Sequence, residues 1–224
     1  MTDMGDMYRS SRERITALLA DRADEVDARE VPATPAWTVH DVVAHLRGLV
    51  EDVLTGNVDG AGTDPWTAVQ VGRGRDKPLE QLLEEWNEQA PQFEAFLSSP
   101  EGAVAARTVF DVHTHECDLR GALGAPSAPP EEFLAMAFPG TVENFTAAVE
   151  REGLPSVRIV PPDGEAIGAH DAPVTLKVGR HEFLRAYLGR RSPDQVRAWD
   201  WSSDPTGYVP HLAVFGPRDT PLTD

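Results

Sequence analysis

Through most of the chain up to Gly153, apolar side chains recur at every third or fourth position; after it the period changes. A stretch of that kind must fold as amphipathic helices packed against one another, and the remainder of the chain must adopt a different architecture. Met4 to Val26 carries Tyr8, Ile15, Leu18, Leu19 and Val26 on roughly one face and reads as a first helix. Val31-Pro32-Ala33-Thr34-Pro35 breaks it. Thr38, with Asp41 three residues on, starts a second helix in the manner of a capping box. That helix runs to Gly56, with Val42, Leu46, Leu49, Val50 and Val53 at helical spacing. Residues 57–78, rich in Gly, Asp and Arg, read as a long loop. Leu79 to Leu97 is a third helix, which Pro91 is expected to kink. A fourth spans Val104 to Leu123 and closes at Gly124 and Pro126. Pro129-Pro130 opens a fifth, running to about Glu152 and interrupted at Pro139-Gly140.

After Gly153, Ser156 to Val160 and Pro173 to Val178 hold β-branched residues in short runs, as strands do. Helical spacing returns from Glu182 to Leu188, and Ser192-Pro193 starts a last short helix ending near Trp199. The pattern predicts an α+β chain: a helical domain over residues 1–153 and a small α+β domain over residues 154–224.

Composition narrows the partners. A formal net charge of −17 repels nucleic-acid phosphates and anionic lipid, so neither is an expected partner. No apolar run approaches the roughly 20 residues that span a bilayer. The polar start, Met1 to Arg14, lacks the apolar centre of a signal peptide. The lone Cys117 forms no internal disulfide and fits a reducing cytoplasm, where the chain is expected to work as a monomer or weak homodimer.

Candidate chemistry lies on the second and fourth helices. Asp111 and His115 are four apart, which puts them on one face a turn apart. His45 lies on the second helix, on the side of Val42, Leu46 and Leu49. Taken singly, a histidine on an apolar stripe is ordinarily a hydrogen-bonded core residue. Two imidazoles and a carboxylate from two helices of a bundle instead make a three-ligand metal site with an open position. Thr108, Asp111, His115, Asp118 and Ala122 form a polar stripe on an otherwise apolar helix. Such a stripe faces either solvent or a bundle cavity, and a buried one needs a cation. His113 is an alternative ligand, but it points about 160° from Asp111 on an ideal helix. His40, near the start of its helix, is expected to be exposed.

The string from Trp37 to Leu46, a Trp followed by a helix carrying His-Leu, resembles a motif of the mycothiol-dependent maleylpyruvate isomerase family, in the wider DinB-like group. Asp111 to Gly124 resembles its second motif, an acidic residue four before a His with Asp-Leu three after it. Phe183 to Arg190 resembles the family's C-terminal domain. The resemblance implies a DinB-like four-helix bundle with an additional helix, followed by a small α+β domain. It implies a divalent metal, commonly zinc, held by His45, Asp111 and His115, and mycothiol as thiol cosubstrate in an actinobacterial cytoplasm. The family pattern carries Glu where this chain has Asp111; one methylene less brings the metal closer to that helix or weakens its binding.

With a metal present, a bound thiol loses its proton more readily, as bound water does. The thiolate attacks an electrophilic carbon of a small substrate, giving isomerisation by addition and elimination, or S-transfer by displacement. A substrate carboxylate calls for cations. Arg73 and Arg75 in the long loop are candidates on the cofactor side, and Arg190 in the C-terminal string is the candidate catalytic cation. The plain alternative for Arg73 and Arg75 is a solvated surface arginine. Cys117, away from Asp111 on the helical wheel, reads as a packed thiol. Two other classes stay open on the sequence: a metal-dependent hydrolase using bound water, and a non-catalytic small-molecule-binding or regulatory protein of the same fold.

Overall fold

The computed structural model describes residues 3–127 and 129–223. It divides into two compact units, one through residue 127 and the other from residue 129. In the first unit α1 (Met4–Leu19), α3 (Val39–Thr55), α5 (Leu79–Leu97) and α6 (Arg107–Ala122) form a four-helix bundle. α1 packs on α5 and α6, and α3 packs on α5 and touches α6. The core between them is built on fully buried Tyr8, Ile15, Leu46, Leu82, Trp86, Phe93 and Leu119. Trp86 Nε1 donates to the Tyr8 hydroxyl at 3.0 Å, so the largest core side chain keeps its one polar atom satisfied.

Buried charge sets the rotation of the helices. Arg9 and Arg12 on α1 reach Glu94 on α5 at 2.8 and 2.9 Å, and Arg12 also bonds Asn87. On the other side, Arg14 grips Glu116 of α6 through two bonds of 2.8 and 2.7 Å. Ser11 donates to the same carboxylate at 2.7 Å and Arg120 at 3.0 Å. Burial pushes the Glu116 carboxyl up, but Arg14, Ser11 and Arg120 together hold it below the usual range. Glu116 is thereby an anion facing α1, and the Asp111–His115–Asp118 side of α6 is left to face elsewhere.

Residues 57–78, expected as loop, contain a helix, α4 (Asp64–Gly74), lying along α3. Its sequence hides it: only Gln70 and Gly74 are buried, so there is no apolar stripe to read. The approach depends on two glycines. A Cβ on Gly48 of α3 would come within 2.7 Å of the Gln70 Cβ, and one on Gly74 within 2.5 Å of the Ala44 Cβ. The first expected helix is likewise interrupted, with α1 ending at Leu19 and a short α2 (Ala23–Val26) following. The fourth starts later than expected, after a 3-10 turn over Pro100–Ala105. Pro91 and Pro139 lie inside helices that run on through them.

The second unit holds α7 (Glu131–Arg151), β1 (Val157–Ile159), β2 (Val174–Lys177), α8 (Arg180–Tyr187), α9 (Pro193–Arg197) and β3 (Asp200–Trp201). The sheet has the order β1-β2-β3, with β1 parallel and β3 antiparallel to β2. Phe138 and Phe145 of α7 meet Phe183 of α8 edge to face, with ring centres 5.6 and 5.7 Å apart. Phe138, Val142, Phe145 and Val149 share one core with Val157, Ile159, Val174 and Leu176. The division at residue 153 followed the change of period, but α7 packs on α8 and buries its apolar face in the core it shares with the sheet, so the compact units divide before α7 and not after it. The third strand, two residues long, was not expected.

Limited proteolysis of the folded protein is expected to cut first within residues 123–130, releasing α7 together with the sheet; a first cut at 152–156 would contradict the division. Gly48→Ala should destabilise the protein by about 1–3 kcal/mol, the usual cost of overpacking, read from denaturant unfolding. An unchanged midpoint would mean that α4 does not rest where it is described.

Candidate metal centre

The second helix begins as its sequence says. Thr38 Oγ1 accepts from the Asp41 backbone at 3.3 Å, and Asp41 Oδ2 accepts from the Thr38 backbone at 2.9 Å. The turn before it is closed by Val31 N donating to Trp37 O and Trp37 N to Thr34 O. That closure leaves Trp37 at the mouth of α3, half-buried, with its ring against two imidazoles. Its centre lies 5.2 Å from that of His45 and 5.7 Å from that of His115, the latter stacked.

His45 and His115 are both buried, and their rings stand edge to face with centres 5.3 Å apart. Asp111 lies beside the Nε2 atoms of both rings. His45 Nε2 is 3.1 Å from Asp111 Oδ2, and His115 Nε2 is 3.7 Å from Asp111 Oδ1. One ligand atom from each of the three residues can be chosen so that all lie within 4.8 Å of one another. The structure thus gathers the three residues that the sequence singled out. About a third of the Asp111 side chain is exposed, against 6% for His45 and 7% for His115, so the cluster opens on the Asp111 side.

The outer nitrogens have partners of their own. His45 Nδ1 donates to Gln70 Oε1 at 2.8 Å. His115 Nδ1 lies 3.2 Å from the Asp118 carboxylate, though not aligned as a hydrogen bond. Asp118 is itself buried. Metal-binding histidines are ordinarily oriented by such an acceptor on the far side of the ring. Two imidazole nitrogens and a carboxylate oxygen, with an open side, are a donor set that could hold a divalent metal ion.

Charge supports the fit. With Nδ1 carrying its hydrogen, a neutral His45 would point a lone pair at the Asp111 carboxylate. Something positive must lie there, either a proton on Nε2 or a metal ion. Burial lowers the His45 pKa, but Asp111, then Gln70 and Asp52, more than offset it and hold the ring above the ordinary value.

Other sequence candidates fall elsewhere. His113 is buried and its Nδ1 donates to the Val109 carbonyl at 2.8 Å, the ordinary fate of a core histidine. His40 is half-buried, contrary to expectation, because its Nε2 reaches the Lys77 carbonyl at 2.8 Å. Cys117 is buried and unbridged. Arg73 lies at the end of α4 and pairs with Asp52 at 2.7 Å, so its charge is already engaged within the bundle. Arg75 follows it at the helix end and is exposed. Arg190 belongs to the second unit, where its Nη1 donates to the Leu188 carbonyl at 2.6 Å. Sequence reasoning missed Gln70, hidden in a presumed loop, and gave no role to Asp52 or Asp118. Asp52 is seven residues after His45 and Asp118 three after His115, spacings that share a helix face and could have been read.

Comparison with known proteins places these features in a family. The family model described as the mycothiol maleylpyruvate isomerase N-terminal domain matches residues 8–123, just over half of the chain. A crystal structure of a mycothiol-dependent maleylpyruvate isomerase superposes with a TM-score of 0.59 at 14% identity, covering 91% of this chain and 97% of that one. That of a mutant with one histidine changed to alanine gives 0.58 at 13%, with the same coverage. At this identity the likeness shows the fold: a helical bundle with an added helix, followed by a small α+β region. No curated protein sequence matches the chain.

The His45–Asp111 pair has a pH signature. Because the folded pKa of His45 is raised above 6.5, its pairing contributes stability that is fully present below that pH. The contribution is lost as pH rises through the folded value. Metal-free protein should therefore lose its stability advantage over Asp111→Asn as pH climbs above 6.5, as read by thermal unfolding. Divalent-ion affinity should rise over the same window, since the ion displaces that proton. A difference between the two proteins that is flat with pH would contradict the pairing.

Proposed function

The chain belongs to the mycothiol maleylpyruvate isomerase N-terminal domain family, and from that membership we propose a metal- and mycothiol-dependent enzyme acting on a small electrophilic substrate. The reaction is an isomerisation or an S-transfer. His45, Asp111 and His115 hold one divalent ion, and zinc is the metal their donor set suits best. The single observation that carries this is the convergence of those three side chains within 4.8 Å, with the cluster open on one side.

When bound, the metal supplies positive charge that lowers the pKa of a thiol at the open position. The chain's own residues do the rest. Gln70 bonds the His45 imidazole from behind, and the Asp118 carboxylate lies 3.2 Å behind that of His115. Trp37 covers both rings and keeps water from that face, which strengthens the electrostatic interactions beneath it. Asp111, the least buried of the three, lies where thiol and substrate would enter. Buried Cys117 takes no part in the chemistry, so the sulfur must come from outside.

Purified protein should hold about one divalent ion per chain, lost in an Asp111→Ala, His115→Ala double variant. Turnover of an activated unsaturated acid should require added mycothiol and survive Cys117→Ser. Full metal occupancy in the double variant would refute the ligand set. Turnover of a hydrolysable substrate by metal-loaded protein without thiol would make it a hydrolase, and loss of activity in a folded, metal-loaded Cys117→Ser protein would make the nucleophile internal.

A further inference from the structure

Gln70 is the one long side chain that α4 buries, and it is fully buried. A side-chain amide can be turned end for end, and only its neighbours decide which end faces where. On one side of Gln70 is Asp52, whose Oδ2 lies 2.7 Å from Gln70 Nε2. A carboxylate only accepts, so the amide nitrogen must face it. The amide oxygen is then turned to His45 Nδ1, 2.8 Å away. That oxygen also only accepts, so Nδ1 must carry the ring hydrogen. Nε2, which faces Asp111, is then the nitrogen that can give up its hydrogen to a metal ion.

Asp52 is engaged by donors on both of its oxygens. It is 1% exposed, and its Oδ1 accepts from Arg73 Nη2 at 2.7 Å and from Asn57 Nδ2 at 2.9 Å. Arg73 also donates to the Gly48 carbonyl at 3.2 Å, which ties the guanidinium to α3 beneath Gln70. The order Arg73–Asp52–Gln70–His45 is therefore a directional chain, in which each acceptor fixes the orientation of the next donor.

We propose that Gln70, Asp52 and Arg73 are positioning residues that dictate which imidazole nitrogen His45 offers to the metal. The proposal deepens the metal reading above and rests on it. His115 has a carboxylate, Asp118, directly behind its ring, whereas His45 has a neutral amide with the carboxylate one step further back. The two ligands are thus held by unlike means, and only that of His45 passes through α4. Arg73, a candidate on the cofactor side from sequence, instead anchors the relay.

Asp52→Asn tests this with little change of shape. An asparagine can donate, so the Gln70 amide is released to turn and to present its nitrogen to His45. Nitrogen-15 NMR of metal-free protein, at a pH high enough to keep the ring neutral, reads the tautomer of His45; for this readout wild type and Asp52→Asn are compared in an Asp111→Ala background, which removes the carboxylate that competes for the ring hydrogen. Competition with a chelator reads the affinity for zinc ion. Wild type should show the hydrogen on Nδ1. Asp52→Asn should shift the population towards hydrogen on Nε2 and weaken zinc binding about 10-fold or more, within the range for lost outer partners. Gln70→Ala should weaken zinc binding similarly, while Val69→Ala, on the exposed face of the same helix, should leave both readouts unchanged. Hydrogen on Nε2 in wild type would overturn the proposal. So would an Asp52→Asn protein with the wild-type tautomer and zinc affinity within about twofold. Should wild type bind no zinc, the metal reading fails, and the tautomer spectra of wild type and Asp52→Asn still decide whether the relay operates.

Discussion

Two imidazole nitrogens and a carboxylate turned toward one another form a cluster of acceptors, and acceptors alone repel. His45 Nε2 and Asp111 Oδ2 are 3.1 Å apart, a separation that is stable only with positive charge between or upon them. A proton satisfies one pair, whereas a divalent ion can satisfy all three residues. Much of the first unit can be understood as holding those acceptors together against that cost. The partners of Glu116 turn one face of α6 toward α1, and the opposite rotation would carry Asp111 and His115 away from α3. The Thr38–Asp41 cap starts α3 at a fixed residue and so fixes the height of His45.

Polar atoms, more than apolar area, define the rear of the cluster. α4 contributes little hydrophobic burial; its seat on α3 is made by two glycines and one glutamine. Elements anchored this lightly are ordinarily among the first to open. The partner of His45 Nδ1 therefore sits on a helix whose docking a single methyl group would disturb. On the other side, Asp118 lies on the same helix as His115, so its support needs no second element.

Most of the bundle was legible because the helices that build it bury regular apolar stripes. Leu79, Leu82, Leu83, Trp86, Ala90, Phe93 and Leu97 all face inward as their spacing predicts. The three ligand candidates were legible for a similar reason, since four residues make a turn. α4 was not, because a glutamine and a glycine leave no hydrophobic period, and the same loop-like composition hid Gln70. The unit boundary was misjudged for the opposite reason: α7 has a clear helical stripe, but periodicity says that a face is buried and not what buries it. Its partner turned out to be α8 and the core of the second unit. Arg73 looked like a loop cation, and only the position of Asp52 shows where its charge is spent.

X-ray absorption at the metal edge of zinc-loaded protein tests the central claim most directly, because it counts ligands without assuming a reaction. Two imidazole nitrogens at about 2.0–2.1 Å and one carboxylate oxygen at a similar distance are expected, with light-atom scattering only. Added mycothiol should bring one sulfur at about 2.3 Å into the shell. A sulfur ligand before any thiol is added, or a shell lacking imidazole scattering, would contradict a centre built from His45, Asp111 and His115.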